Sequence, residues 1–228
     1  MKSSQKVFYL FLLISATFVI GSIFNFNDLA KATNFILVPS LLLYYRYKTK
    51  EWFLPMVIAL LLLYVRDIFL LQGVGLFRET VLIFFFIAIL ILYIFAITGF
   101  QKSEVYLVEV ISLLIMYAFL GFLIFYVGEL VPQVIPAHRD ATYLYLFLPA
   151  LLLAITFTQY LIKPHYASLW LMLMAASLLI SEFSLFFKMY IISDVSVNLF
   201  YPLFHVIAYF SMVEHALHRR RSSRIPGF

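Results

Sequence analysis

The chain contains no cysteine among its 228 residues. Disulfide bonds, thiolate nucleophiles and metal sites with cysteine ligands are therefore excluded. Charged residues are scarce, at 12%, whereas an average soluble domain has about 25%. Hydrophobic residues make up 65% of the chain, and the mean hydropathy is +1.03. This composition predicts an integral membrane protein.

Eight apolar stretches run along the chain, each near the roughly 20 residues that a helix needs to cross the hydrocarbon core. Lipid offers no water to free backbone groups, so these stretches must be helices. We place them at about 7–24, 31–47, 52–71, 80–98, 105–127, 141–162, 167–190 and 197–216. The predicted fold class is all-α, a polytopic membrane helix bundle of about eight transmembrane helices.

Long polar segments are also missing from the sequence. The longest predicted connection, "GELVPQVIPAHRD" at 128–140, has 13 residues with two prolines, which is too few for a folded domain. Residues 1–228 are therefore predicted to form a single integral membrane domain. Any activity must lie within the helix bundle or at its rim.

The sidedness of lysine and arginine predicts the orientation of the chain. With the N-terminus inside, the inner segments carry eleven of these residues and the outer segments four. This excess favours both termini in the cytoplasm, and we place the chain in the plasma (inner) membrane. The first apolar stretch resembles a signal peptide, but no cleavage site of small residues follows it, so we interpret it as a retained helix.

Basic residues exceed acidic ones, giving a formal net charge of +5. They lie in short segments between apolar stretches and form no single basic face, so nucleic-acid binding is not predicted. We interpret residues 217–228 as a basic cytoplasmic tail that contacts anionic lipid headgroups. Glu214, His215 and His218, beside this tail, resemble a metal site only weakly, and no metal or other cofactor is predicted.

Two pairs of segments indicate an internal repeat. "FILVPSLLLYY" at 35–45 aligns with "YLFLPALLLAI" at 145–155, and the segment around Asp67 aligns with that around Glu182. Repeats of four helices at about 7–98 and 105–216 would point the same way across the membrane, related by an axis along its normal.

Arg66, Asp67 and Glu182 lie within apolar stretches, although a charge at the bilayer centre costs roughly 2.5 to 3.5 kcal/mol. Asp67 and Glu182 are each the sixteenth residue of their predicted helix, which places both carboxyls at one depth, in the outer third of the bilayer. Two carboxyls in a dry site do not both ionise readily. One would act as an acid and the other as a base, so both are candidate catalytic residues.

Other polar residues near the two carboxyls are candidates for substrate binding. Arg66 could bind a lipid phosphate, pair with Glu182 or extend to the outer surface, and His205 could carry protons. Tyr64, Gln72 and Ser181 could orient the site. The plainer interpretation of the carboxyls and Arg66 is an ion pair or polar contact between helices, and that of His205 is a hydrogen bond to a neighbouring carbonyl.

At these residues the chain resembles the YhhN family of eight-span membrane proteins, whose characterised members are lysoplasmalogenases. The resemblance covers roughly residues 30–215. It includes a proline-centred second helix, an acidic third helix followed by leucines, "LLISEFSLFF", and a final helix ending in "YFSMVEHAL". This chain has Val38-Pro39 where the family has Lys-Pro, Arg66-Asp67 for Gly-Asp, and Ser181-Glu182 for Ser-Asp.

The resemblance implies hydrolysis of the vinyl-ether bond of a lysoplasmalogen, a membrane lipid, to a fatty aldehyde and a glycerophospho-base. A neutral carboxylic acid would protonate the vinyl β-carbon, and a carboxylate would stabilise the cation and activate water, as in glycosidases. This chemistry predicts a cavity open to lipid with the carboxyls about 5 to 10 Å apart. The alternatives are a proton-coupled transporter, with a path opening to both sides, and a non-catalytic lipid-binding protein, with no cavity.

Overall fold

The computed structural model describes residues 2–98, 106–134, 136–192 and 194–222. This part of the chain is all-helical and contains no strand. Its helices are α1 (Lys2–Ile23), α2 (Asn27–Thr49), α3 (Leu54–Leu71), α4 (Glu79–Thr98), α5 (Leu107–Val134), a 3-10 turn (Pro136–His138), α6 (Arg139–Ile162), α7 (Tyr166–Tyr190) and α8 (Val195–Ser222). Lys102, which contributed to the predicted orientation, lies outside the described residues.

Seven helices of the described chain, α1 and α3 to α8, are long and apolar enough to cross a membrane. The chain is therefore a helical bundle consistent with a multi-pass membrane protein. Helix α2 is long enough but carries Asp28 and Lys31 near its start and Arg46 and Lys48 near its end. These charges lower its mean hydropathy, so α2 is not among the helices that are apolar enough to cross a membrane. An eighth span therefore stays a prediction.

Helix α5 continues beyond its predicted end. It runs to Val134 and contains Pro132 in its last turn, so the prediction of a 13-residue connection at 128–140 was wrong. Tyr143 of α6 donates a hydrogen bond of 3.1 Å to the carbonyl of Gly128, and its ring lies 3.3 Å from where a Cβ on Gly128 would stand. These contacts hold the extra turn of α5 against α6.

The predicted basic tail begins inside a helix. Helix α8 extends to Ser222, and Leu217 is buried against the bundle. Arg219 donates a hydrogen bond of 3.1 Å to the hydroxyl of Thr98 at the end of α4. The remainder of the predicted tail, 223–228, lies outside the described residues.

Neighbouring helices close a ring in the order α1, α2, α3, α4, α6, α7, α8 and back to α1. Helix α5 packs against α6 on the outside and is the least buried of the membrane-length helices, whereas α7 is the most buried. Helix α8 also contacts α2 and α3 and packs most extensively against α7. Polar side chains on α3, α7 and α8 are therefore directed towards one interior.

The turns between helices meet at two ends of the bundle. At the end opposite the two chain termini, which we call the distal end, Phe77 contacts His138 and Tyr190 and thereby joins three connections. At the proximal end, Lys48 of α2 forms an ion pair of 2.8 Å with Glu214 of α8. These contacts fix the ends of the helices that carry the buried polar residues.

Helices α1 and α2 approach each other closely at Gly21. A Cβ added there would lie 3.2 Å from the backbone nitrogen of Ala30, whereas one added at Gly121 of α5 would meet nothing within 4 Å. We expect Gly21→Val to destabilise the bundle by about 1–3 kcal/mol because α1 must move away from α2. Unfolding in mixed detergent micelles, followed by circular dichroism, measures the change. Gly121→Val is the matched control, and equal stability of the two variants would contradict this packing.

Candidate functional site

Six side chains from α3, α6, α7 and α8 meet in the interior of the bundle, and we call them the central cluster. Each is between 0% and 2% exposed. They are Arg66, Asp67, Tyr145, Glu182, His205 and Tyr209. Helices α6, α7 and α8 are consecutive in the ring, whereas α3 belongs to the first half of the chain, so the cluster joins parts of the bundle that are distant in sequence.

Arg66 and Glu182 form a bidentate ion pair. Nη1 and Nη2 of Arg66 each donate a hydrogen bond of 2.7 Å to a different carboxylate oxygen of Glu182. Tyr145 donates a further hydrogen bond to Oε2 of Glu182. The guanidinium carbon lies 4.9 Å from the centre of the Phe85 ring, within the range of a cation–π interaction. Both oxygens of Glu182 therefore have partners.

This ion pair spans a gap between two helices. Helices α3 and α7 are not among the helix pairs that pack closely along their backbones in the described chain. The long arginine side chain fills the space between them. In such a dry site, removing one member of a buried ion pair costs about 3–5 kcal/mol because the other charge is left without a partner.

Asp67 has weaker partners than Glu182. Tyr209 donates a hydrogen bond to its Oδ2, and Nε2 of His205 lies 3.1 Å from the same oxygen. The direction of the histidine contact is not that of a hydrogen bond. Nε of Arg66 lies 3.9 Å from Oδ1. Asp67 is thus placed beside a titratable group instead of being held by a cation.

Several polar atoms around Asp67 have no hydrogen-bond partner in the described chain. They are Nε of Arg66, Oδ1 of Asp67 and both ring nitrogens of His205. Buried polar groups are paired in most proteins, and an exception calls for an explanation such as a catalytic role. In lipid an unpaired group costs several kcal/mol. The unpaired atoms lie on the Asp67 side of the cluster and leave the Glu182 carboxylate fully paired.

The two carboxyls do not touch, because the Arg66 guanidinium lies between them. The width of a guanidinium between two of its nitrogens is about 2.3 Å. Adding that width to the contacts of 2.7 Å and 3.9 Å limits the separation of Oε2 of Glu182 and Oδ1 of Asp67 to about 9 Å. This limit is compatible with the 5 to 10 Å expected for a carboxyl pair.

Other expectations for the site differ from the structure. Arg66 does not extend to the outer surface, since it is 1% exposed. Tyr64 points away from the cluster and donates a hydrogen bond of 2.7 Å to the carbonyl of Phe35 on α2. Gln72 is exposed and caps the end of α3. One face of α3 therefore carries the cluster, and Tyr64 lies on another.

Ser181 lies next to the cluster without joining it. Its hydroxyl donates a hydrogen bond of 3.3 Å to the carbonyl of Tyr201 on α8. Ser181 is fully buried, so this contact ties α7 to the turn of α8 that precedes His205.

Tyr145 and Tyr209 are cluster members that the sequence reasoning missed. Tyr209 follows His205 by four residues, a spacing that places both on one helix face, and their ring centroids are 4.3 Å apart. Tyr145 precedes Pro149 by four residues, at the start of the segment that indicated the repeat. Each tyrosine lies four residues from a residue that the sequence had singled out, His205 or Pro149. Aromatic residues are so frequent in this chain that this spacing did not distinguish the two tyrosines from the others.

Among the described residues, the expected cavity open to lipid is not found at the cluster. All six side chains are almost completely buried, so the structure is closed around them. Cavities occur instead at the distal end, lined by Phe77, Arg78, His138 and their neighbours. Access of a lipid to the cluster would require helices to separate.

The proximal end holds a second group of buried polar residues. Glu214 accepts hydrogen bonds from Tyr44, at 2.9 Å, and Lys48, at 2.8 Å. His218 lies 3.6 Å from Glu214, whereas His215 turns to the carbonyl of Ala167, 2.8 Å away. Of the three residues that weakly resembled a metal site, Glu214 and His218 face each other, whereas His215 points elsewhere. Over the described ranges no group of three or more His, Asp or Glu residues is placed to hold a metal ion.

Comparison of the chain with protein-family models, with curated proteins and with solved structures finds no match. The resemblance to the YhhN family therefore stays a prediction from short motifs. The function of the central cluster has to be argued from its geometry and chemistry.

If Arg66 and Glu182 form a buried ion pair, the single and double variants of these residues should differ in their free energy of unfolding. Glu182→Leu should lower the free energy of unfolding by about 3–5 kcal/mol, because Arg66 loses its partner in a dry site. Adding Arg66→Met to this variant should restore most of the loss. Unfolding in mixed detergent micelles, followed by tryptophan fluorescence, measures both changes. Glu129→Gln, at an exposed position of α5, is the control. A double variant no more stable than Glu182→Leu would speak against the pair.

Proposed function

We propose that this chain is a membrane lipid hydrolase that cleaves the vinyl-ether bond of lysoplasmalogen-type lysophospholipids. One observation carries the proposal. Two carboxylates, a histidine and an arginine meet in the interior of an apolar helix bundle, and several polar atoms around Asp67 have no hydrogen-bond partner among the described residues. Ionisable groups within a membrane are retained mainly where they function. The resemblance to the YhhN family supports the same reaction.

We assign the proton transfer to His205 and Asp67. Glu182 is held by two hydrogen bonds from Arg66 and one from Tyr145, so it is poorly suited to give up or accept a proton. His205 lies 3.1 Å from Asp67. A protonated His205, stabilised by the Asp67 carboxylate, is a competent acid for the vinyl β-carbon.

In the proposed mechanism, hydrolysis of the vinyl ether takes three steps. The π electrons of the vinyl ether form the new C–H bond with the proton of His205, leaving an oxocarbenium ion. Water adds to the α-carbon and gives its proton to the His205–Asp67 pair, which yields a hemiacetal. The hemiacetal then breaks its bond to the glycerol oxygen, which takes up the hydroxyl proton, and the products are a fatty aldehyde and a glycerophospho-base.

The charges of the cluster suit this sequence of steps. With His205 protonated, Arg66 and His205 balance the two carboxylates. After the proton leaves, the four groups together carry one negative charge, which stabilises the positive oxocarbenium ion. Such preorganised charge is worth more in a dry site than in water. In this arrangement Glu182 and Arg66 set the charge of the site without transferring the proton.

The lipid must reach the cluster through a separation of helices. Helices α3 and α8, which carry Asp67 and His205, share only a small backbone contact, and the same holds for α2 against α3 and α8. We propose that the bundle opens along these seams towards the lipid. The apolar chain of the substrate would then remain in the membrane while its polar end reaches the cluster.

We further propose that the chain has eight spans, built from two repeats of four helices. Exchange of the halves converts the contacts α1–α2, α2–α3, α3–α4 and α2–α8 into α5–α6, α6–α7, α7–α8 and α4–α6, which also pack together. The contacts α1–α8 and α3–α8 have no such counterpart among the described residues, so the two halves match in part. Pro39 and Pro149 both lie inside helices, as the repeat requires. The excess of basic residues at the proximal end favours both termini in the cytoplasm, where the basic end of α8 would meet anionic headgroups.

A non-catalytic role is the second candidate, and the closed cluster favours it. Both oxygens of Glu182 are paired, and the pair joins two helices that barely touch. An ion pair of this kind could serve only to hold the bundle in one arrangement. A lipid-binding protein without activity would then explain the burial.

Activity of the variants separates the two candidates. Asp67→Asn and His205→Gln should each lower the rate of aldehyde release from lysoplasmalogen about 100-fold or more, because general acid–base catalysis contributes about that much. Mass spectrometry of the aldehyde measures the rate, with diacyl phospholipid and acyl lysophospholipid as comparison substrates. Glu129→Gln should keep full activity.

Two results would count against the hydrolase. Unchanged turnover in Asp67→Asn would remove that carboxyl from the mechanism. No aldehyde from lysoplasmalogen and no fatty acid from the two ester lipids, with the folded, purified chain, would favour the non-catalytic role.

A further inference from the structure

Two adjoining cavities lie at the distal end of the bundle and share His138. Their volumes are about 380 and 410 Å³, within the range of sites that hold small molecules. The first is lined by Gly75, Phe77, Arg78, His138 and Tyr190, and the second by residues 136–141. Together they form one pocket between three helix connections, which we call the distal pocket.

The distal pocket carries charges of both signs. Arg78 lines the first cavity and Asp140 the second, and both are exposed. Within the described chain neither side chain has an ion-pair partner within 4.0 Å. Arg139 is placed over the ring of Tyr143, at 5.6 Å, and Glu79 adds a second carboxylate next to Arg78. The lining therefore carries two arginines and one carboxylate, and of these Arg78 and Asp140 are a positive and a negative group without an ion-pair partner among the described residues.

Aromatic rings form the wall between these charges. The ring of Phe77 stacks against His138, with centroids 6.1 Å apart, and lies 5.3 Å from that of Tyr190. Phe77 is almost completely buried, so its position is fixed by the bundle. Ring faces attract ammonium groups, while a guanidinium is well suited to bind phosphate.

We propose that the distal pocket binds the headgroup of a phospholipid that carries a phosphate and an amine. The phosphate would contact Arg78 and His138, and the ammonium group would lie near Asp140 and the ring of Tyr190. A pocket for a free anion would have no use for the Asp140 carboxylate, whereas Arg78 and Asp140 together match a group that carries both charges.

The distal pocket lies directly next to the central cluster. The Phe77 ring meets that of Tyr145 edge-on, at 5.8 Å, and Tyr145 donates a hydrogen bond to Glu182. A headgroup held in the pocket would keep the glycerol end of the lipid near the Glu182 side of the cluster, and the vinyl-ether bond would have to extend past Arg66 to reach Asp67 and His205. That the bound lipid is also the lipid hydrolysed rests on the proposed function, whereas headgroup binding itself needs no hydrolysis.

Binding to the full chain in a non-ionic detergent tests the proposal. The probes are a short-chain lysophosphatidylethanolamine, a lysophosphatidic acid, a monoacylglycerol and inorganic phosphate. We expect Arg78→Gln to raise the dissociation constant of both phosphate-bearing lipids about 10-fold, a typical loss for a charge-assisted hydrogen bond. Asp140→Asn should weaken only the amine-bearing lipid. Lys31→Gln removes an exposed positive charge that does not line the pocket and should change nothing.

Several outcomes would overturn the proposal. Equal binding of monoacylglycerol would show that no headgroup is recognised, and equal binding of inorganic phosphate would assign the pocket to a free anion. Unchanged dissociation constants in Arg78→Gln, with thermal unfolding as in the wild type, would exclude the pocket. Because the dissociation constant does not depend on turnover, a chain that binds the lipid but releases no aldehyde would contradict only the proposed hydrolysis.

Discussion

A guanidinium in the interior of a membrane bundle has no water to hydrate it, so the place of Arg66 depends on Glu182. Two hydrogen bonds of 2.7 Å fix the plane of the guanidinium, and the Phe85 ring covers it. The pair joins α3 to α7 where the two backbones stand apart. The rest of the interior is arranged around this contact. Tyr145 donates a third hydrogen bond to Glu182, and Asp67 lies on the other side of the Arg66 guanidinium.

The two carboxyls consequently have different surroundings, although they occupy equivalent positions in the sequence. Glu182 is neutralised by its partners, whereas Asp67 keeps an unpaired oxygen and faces His205. A protein that needed only a strong contact between helices would gain nothing from burying Asp67 with an unpaired oxygen beside His205. This asymmetry is the main support for the proposed chemistry at the cluster and for our proposal that the proton is held on the α8 side of the bundle.

Much of the architecture could be predicted from the sequence because a membrane makes length and hydropathy decisive. Apolar runs of about 20 residues locate the helices, and the depth of Asp67 and Glu182 within them brings both to one level. The pairing of Arg66 with Glu182 was one of the alternatives that the sequence left open. The rotation of each helix was not predictable, since α4 and α5 are apolar on all sides and have no face that marks the interior. Tyr64 of α3 was misplaced because its spacing from Asp67 does not fix the direction of its side chain, and Tyr145 of α6 was missed because aromatic residues are too frequent in this chain.

The central claim is that Arg66 and Glu182 share an ion pair inside the membrane, and solid-state NMR tests it directly. The chain would be reconstituted in lipid with ¹⁵N-arginine and with glutamate labelled with ¹³C at its carboxyl carbon. Dipolar recoupling should detect one buried guanidinium at ion-pair distance from a carboxylate, and the signal should vanish in Glu182→Gln. No such coupling in the wild type, or a coupling that survives in the variant, would contradict the account.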